Sequence, residues 1–168
     1  LFLVDDLDHT VKKTDPHGKL IFTLGTPGEP CEWQGGGMFN RPTHVAIQAS
    51  TGDFFVSDGY GNSRIHKFDA GGGHIKSWGE SGTGPSQFSL PHYIAMLGDD
   101  RVALCDRENF RTQVFTTDGE YVDQWHFHRP IAIAAGRGDD TNLYVAEAGP
   151  PPVQRHVHGL GLYVIVID

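Results

Sequence analysis

The feature that most limits what this chain can fold into is an internal repeat. Residues 53 to 79 read Asp-Phe-Phe-Val-Ser-Asp-Gly-Tyr-Gly-Asn-Ser-Arg-Ile-His-Lys-Phe-Asp, then a glycine-rich turn, then His-Ile-Lys-Ser-Trp-Gly. Residues 101 to 125 follow the same plan, with Arg-Val-Ala-Leu-Cys-Asp-Arg-Glu-Asn and later Gln-Val-Phe-Thr-Thr-Asp-Gly-Glu-Tyr-Val-Asp-Gln-Trp. The opening residues form a third copy without its first strand: Leu1 to Asp5, Val11 to Asp15 and Leu20 to Gly25. A fourth starts at Arg129-Pro130-Ile131, runs through Leu143 to Glu147 and ends at Leu162 to Asp168, without its last strand.

Each complete copy offers four strands. The first follows a proline (Pro42, Pro91, Pro130), the second ends in Asp or Glu, the third in Phe-Asp or Phe-Thr, and the fourth near a tryptophan. A four-stranded antiparallel unit recurring about every 40 to 50 residues is the pattern of a β-propeller blade. Asp-Pro-His-Gly at 15 to 18, Asp-Ala-Gly-Gly at 69 to 72 and Thr-Thr-Asp-Gly at 116 to 119 place turn residues between third and fourth strands, where hairpins need positive φ. The 22 glycines and 10 prolines fit many short strands and leave little room for helix. The expectation is an all-β chain forming one propeller region over residues 1–168. Its blades cover roughly 1–25 (partial), 39–79, 88–127 and 129–168 (partial).

Three and a half blades are fewer than the roughly four to eight that close a ring, so part of a six-bladed ring is expected. The chain begins at Leu1 inside one strand pattern and stops at Asp168 inside another, which suggests a piece of a longer ring. Edges left open would invite self-association. Two segments read as loops inserted between or within blades: Thr26 to Phe39, and the stretch from Pro150 to Gly161 that carries His156 and His158.

The formal charge of −8, from 13 basic and 21 acidic residues, argues against a nucleic-acid partner, because no basic stripe exists to meet a phosphate backbone. No apolar run approaches the roughly 20 residues that span a bilayer, and Leu-Phe-Leu-Val-Asp-Asp turns acidic too early for a signal peptide. A soluble chain with no membrane partner is expected. Cys31 and Cys105 lie 74 positions apart; they mark neither a disulfide framework nor a metal knuckle and leave the compartment open.

Three stretches are more specific than the blade pattern: Ser57-Asp58-Gly59-Tyr60-Gly61-Asn62-Ser63-Arg64-Ile65, Gly84-Pro85-Ser86-Gln87-Phe88-Ser89-Leu90-Pro91-His92 and Asp106-Arg107-Glu108-Asn109. With them the chain resembles the NHL-repeat propellers of the peptidyl-α-hydroxyglycine α-amidating lyase family and its bacterial relatives, strongly over residues 40 to 127. The resemblance implies a six-bladed ring whose channel holds zinc through three histidines from different blades, calcium being a further cofactor of that kind. It also implies cleavage of a peptidyl-α-hydroxyglycine to a peptide amide and glyoxylate. By motif, His92 matches one zinc ligand, Tyr60 the base and Arg107 an active-site arginine. Neutral imidazoles suit zinc, a tyrosine beside a metal-bound hydroxyl can take its proton, and an arginine can grip a carboxylate. The other two zinc histidines belong to blades outside this chain. Gly61 stands where the animal enzymes have a cysteine, so the family's disulfide there is absent.

Each of these residues also has a plainer reading. His92 starts a first strand, in the place held by Thr43 and Ile131 in neighbouring blades. His44 sits one residue further along its own strand, and alternation turns it to the opposite face, as a packing histidine. Tyr60 could stack on the propeller face, and Arg107 could brace blades through Glu108 or Asp58. Asp5, Asp58, Asp106 and Glu147 recur once per blade and suit structural bonds to turn amides. Trp78 and Trp125 suit packing between blades, and the His-x-His pair of His126 and His128 falls in a blade linker. Two functions stay open: a zinc lyase acting on a peptide or small-molecule substrate, and a non-catalytic NHL propeller presenting its loop face to a protein or peptide partner.

Overall fold

A computed structural model describes residues 1–136, 138, 140, 142–149 and 163–167. The proline-rich insertion with His156 and His158 lies outside them. Four antiparallel sheets follow one another along the chain. The first holds β1 (Phe2–Asp5), β2 (Thr10–Thr14) and β3 (Leu20–Leu24); the second holds β4 (Pro42–Ile47), β5 (Phe54–Asp58), β6 (Arg64–Phe68) and β7 (His74–Trp78). Two more strands, β8 (Glu80–Ser81) and β9 (Gln87–Phe88), pair parallel to each other in the linker that the sequence leaves irregular. The third sheet holds β10 (Pro91–Leu97), β11 (Arg101–Asp106), β12 (Arg111–Thr116) and β13 (Tyr121–His126); the fourth holds β14 (Pro130–Ala135), β15 (Leu143–Glu147) and β16 (Val164–Ile167). Every sheet is a meander in chain order, and the first strands β4, β10 and β14 pack side by side.

Packing between sheets explains why the second strands do not alternate between apolar and polar residues. All five residues of β5 are buried, because one face meets the preceding sheet and the other the following one. Phe54 and Val56 join Val11, Phe39 and Phe68 between the first two sheets, whereas Phe55 joins Phe88, Ile94, Leu104 and Phe115 between the second and third. A strand covered on both faces favours a continuous apolar run. The outer strands β7 and β13 keep most of their residues partly or fully exposed. Trp78 packs against Phe55 and Phe115 across the sheet boundary, and Trp125 packs with Ile133 and Val145. Cys105 is buried in that same cluster, which pushes its thiol up to about 12. Of the first insertion, residues 26–39, most is exposed, but Phe39 at its end is fully buried against His66 and Phe68.

In the last three antiparallel sheets the carboxylate that ends the second strand holds the loop that leads into its own sheet, whereas Asp5 of the first sheet takes the Asp8 amide of its following turn. Asp58 accepts the Asn40 amide at 2.9 Å, Asp106 accepts the Ser89 amide at 2.7 Å, and Glu147 accepts the His128 amide. Each amide belongs to the residue two before the proline that opens the sheet. Asp58 is also bonded by Asn62 (2.9 Å), with His66 3.4 Å away; Asp106 is bonded by Asn109, Gln113 and, at 2.8 Å, the Arg111 guanidinium. Buried charges are tolerated when they are this fully bonded. Replacing Asp106 with Ala would strand the nearly buried Arg111 and the Ser89 amide. A loss of about 3–5 kcal/mol is expected, seen as an earlier urea midpoint with unchanged slope; a midpoint shift near zero would contradict the assigned role.

Candidate functional site

Immediately after the proline, each first strand carries a bulge. The register between β4 and β5 skips Thr43, that between β10 and β11 skips His92, and that between β14 and β15 skips Ile131. A bulge adds a residue, breaks the alternation of faces and re-aims the side chain it carries. His44 therefore does not turn away from Thr43, contrary to simple alternation: both reach the next first strand. The Thr43 hydroxyl donates to the Pro91 carbonyl at 2.9 Å, and His44 Nδ1 bonds the Ile94 carbonyl at 2.9 Å. His44 is nonetheless a packing residue, stacked on the Tyr93 ring at 3.6 Å between centroids.

His92 uses the same geometry one sheet further on. Its Nδ1 lies 2.8 Å from the Ile131 carbonyl, and a carbonyl can only accept, so Nδ1 carries the hydrogen. Burial holds the imidazole below its ordinary range, opposed by the Ile131 bond and helped by Arg107 and Arg129. The neutral ring thus presents its Nε2 lone pair, and the Tyr60 hydroxyl stands 3.0 Å from it and donates. The two rings meet edge to face at 5.7 Å.

Tyr60 comes from the second sheet, in the turn after β5. Ideal Cβ atoms show why glycines flank it: one at Gly59 would fall 1.8 Å from the Pro91 carbonyl oxygen, and one at Gly61 would fall 2.0 Å from Asn40 Oδ1. The turn is wedged against the residue before His92 on one side and the Asn40 amide on the other. Tyr60 keeps 39% of its surface exposed, so its ring faces open space. Arg107, at the start of the 3-10 turn after β11, places its guanidinium 5.8 Å from the Tyr60 centroid. It also pairs with Glu108 at 2.8 Å, and Glu108 in turn holds Arg129 at 2.7 Å. Burial raises the Glu108 carboxyl, but Arg129 and Arg107 outweigh it and hold the group below the usual carboxylate range.

Tyr60, His92 and Arg107, drawn from separate motifs, are therefore one cluster. His126 lies beside Gln124 and His128 beside Phe110. Among the described residues no group of three His, Cys, Asp or Glu side chains is arranged to share a metal ion. Arg41 was not legible from the sequence as a neighbour of this cluster, yet its guanidinium lies 5.1 Å from the Tyr60 ring centroid.

Comparisons with known proteins place the fold and its relatives. The NHL repeat pattern matches residues 39–68. The chain aligns over 99% of its length with hydrazine synthase of Kuenenia stuttgartiensis (TM-score 0.70, 14% identity, 42% of that chain). It also aligns over 86% with the WD40 β-propeller domain of Doa1 (TM-score 0.62, 15% identity, 42% of that chain). It is a run of β-propeller blades, of which the stretch at residues 39–68 matches the NHL repeat. Its sequence relatives include amidating proteins: it is 44% identical over 117 residues to peptidylglycine α-amidating monooxygenase of Rattus norvegicus, 66% of this chain and 12% of that protein. Against peptidyl-α-hydroxyglycine α-amidating lyase 1 of Drosophila melanogaster it is 36% identical over 140 residues, 75% of this chain and 25% of that protein. NHL repeat-containing protein 3 of Homo sapiens is 37% identical over 121 residues, 70% of this chain and 35% of that protein. The chain thus spans between about an eighth and a third of these relatives.

Two outcomes follow from this geometry. Gly59→Ala forces the turn away from Pro91, and thermal unfolding should come several degrees earlier, roughly 2–4 °C for each kcal/mol lost; a melting curve identical to wild type would contradict the wedge. His44, held below its ordinary range chiefly by burial, is neutral in the fold but takes up a proton in the unfolded chain. Its share of stability is present above the unfolded imidazole pKa of about 6.5 and is lost as the pH falls below it. His44→Gln should flatten the fall in melting temperature between about pH 7 and 5, and an unchanged slope would count against it.

Proposed function

We propose that this chain carries part of the active site of a lyase that cleaves peptidyl-α-hydroxyglycine to a peptide amide and glyoxylate, with Tyr60 as the base. The observation that carries the reading is the 3.0 Å contact between the Tyr60 hydroxyl and His92 Nε2, made by the two motifs that resemble the amidating lyases. The relatives named for that activity support it.

His92 is fitted to be a metal ligand: its Nδ1–H is anchored on the Ile131 carbonyl, an outer-shell bond of the kind that fixes ligating imidazoles. Zinc, when bound, would act as a Lewis acid on the substrate hydroxyl oxygen. His92 would be one ligand, and the set would be completed by groups other than the described residues. The Nε2 lone pair that accepts the Tyr60 hydroxyl is the one a metal would take, and the two uses exclude each other. The phenol oxygen is then free to face substrate. The Tyr60 hydroxyl gives its proton to the departing amide nitrogen while its oxygen takes the proton of the α-hydroxyl, as the carbonyl of glyoxylate forms and the carbon–nitrogen bond breaks, so the phenol ends neutral as it began. Arg107, with Nε on Glu108, keeps N–H donors for the substrate carboxylate.

Glyoxylate release from a synthetic N-acyl-peptidyl-α-hydroxyglycine, with and without added zinc, tests the reading. Tyr60→Phe should lower kcat by about 10²–10⁴ while the fold persists by circular dichroism, and His92→Ala should abolish the response to zinc. Release unaffected by Tyr60→Phe would overturn the assignment of the base. A folded wild type that binds zinc stoichiometrically yet releases no glyoxylate would overturn the lyase reading and favour a binding propeller.

A further inference from the structure

Tyr60 has a second cation beside it, and that cation is tied to the Tyr60 turn twice. The Tyr60 amide donates to the Arg41 carbonyl at 3.2 Å, and the Arg41 guanidinium lies nearer to the Tyr60 ring (5.1 Å) than that of Arg107 does (5.8 Å). Arg41 is the residue before Pro42 and adopts φ of 65°, a left-handed conformation shared by its counterparts Leu90 (60°) and Arg129 (53°). Their carbonyls accept the amides of Arg107 and Ala148 in the same way. The backbone tie is thus a repeated blade feature, whereas a guanidinium against an aromatic ring of the site belongs to Arg41.

Its surroundings hold Arg41 in place. The Arg41 amide donates to His9 Nδ1 at 3.1 Å, and Nη2 pairs with Asp6 at 2.7 Å, both from the first sheet's loops. The Arg41 Nε is shielded from solvent and has no partner among the described residues. The ion pair is more than a third exposed at each end, and such pairs contribute only about 0–1 kcal/mol to stability. That is too little to explain the arrangement as a stabilising brace. A cation over an aromatic face, by contrast, fixes where the ring sits.

The geometry points to Arg41 as a positioning residue for Tyr60: anchored by Asp6, it holds the phenol ring in place beside His92, where its oxygen bonds Nε2 in this structure and would face substrate once a metal takes that nitrogen. The proposal rests on the reading of Tyr60 and His92 as a functional pair, but its test does not require turnover. Positive φ favours glycine, so Arg41→Gly keeps the carbonyl tie and removes the guanidinium alone, while Arg41→Lys keeps a charge on a flexible stem.

The experiment records the ring-proton and His92 Cε1–H resonances of selectively labelled protein at one fixed pH in wild type, Arg41→Gly, Arg41→Lys, Asp6→Ala, Tyr60→Leu and the Arg41→Gly/Tyr60→Leu double variant. The expected result is that Arg41→Gly moves the Tyr60 ring and His92 signals with little change in melting temperature, that Arg41→Lys restores them in part, and that Asp6→Ala gives a smaller shift in the same direction. The double variant should match Tyr60→Leu alone at His92, because Arg41 acts through the ring that Tyr60→Leu removes. If wild type is active, Arg41→Gly should lower kcat about tenfold with little effect on KM. Tyr60 and His92 signals unmoved in Arg41→Gly overturn the proposal whatever the activity, and so does a His92 shift that persists in the Tyr60→Leu background. Absence of glyoxylate release from zinc-loaded wild type, with the spectra as expected, would overturn the lyase reading and leave this one standing.

Discussion

Everything else in this molecule depends on the buried carboxylate that closes the second strand in each of the last three antiparallel sheets. Asp58, Asp106 and Glu147 each take the amide of the residue two before the strand-opening proline. That bond fixes where the chain enters its sheet, and hence where the bulge falls on the first strand. A carboxylate out of water is costly unless its acceptor sites are filled, so the loop has one favourable path. Asp58 solves this without a close arginine, using Asn62 and His66, whereas Asp106 uses Arg111. The choice at Asp58 leaves Arg64 free to bond the Gly79 carbonyl instead, and the turn that follows Asp58 carries Tyr60.

The bulge then decides what each blade offers at its inner rim. A threonine, a histidine and an isoleucine occupy one structural place, at residues 43, 92 and 131. Thr43 reaches the Pro91 carbonyl and His92 the Ile131 carbonyl, so polar bulge residues are oriented by the backbone of the next sheet. For His92 this settles which nitrogen holds the proton. Burial keeps the ring neutral, and the free lone pair is aimed at Tyr60. A chain of net charge −8 also gathers Arg41, Arg107 and Arg129 around this point, with Asp6 and Glu108 as their ion-pair partners among the described residues. The rim is thus locally cationic in an acidic protein, which favours an anionic ligand there.

The blade pattern was legible because a buried meander leaves a rigid signature: a proline before the first strand, an acid after the second, a glycine turn before the fourth. The small parallel pair Glu80–Ser81 and Gln87–Phe88 was not legible, since two-residue strands carry no period. His44 packs as its sequence reading had it, but not on the expected face, because alternation holds only along an unbulged strand and the bulge lies at the residue before it. Phe39 looked like loop, and only its contacts with His66 and Phe68 from another strand bury it. Tyr60, His92 and Arg107 were singled out by local motifs, and their meeting depended on the angle between adjacent sheets.

Arg41 marks the limit of such reading. It precedes a proline, a setting that normally favours extended backbone, and nothing local signals a left-handed residue there. The conformation is sustained by partners remote in sequence: His9 on its amide, Tyr60 on its carbonyl and Asp6 on its guanidinium. Asp6 and His9 come from the one turn between β1 and β2, and Tyr60 from the turn after β5, all remote from Arg41 in the chain. A position held from three directions, with an ion pair too exposed to matter much for stability, is shaped by the orientation it imposes. In this structure that orientation is the placement of a phenol oxygen against a neutral imidazole.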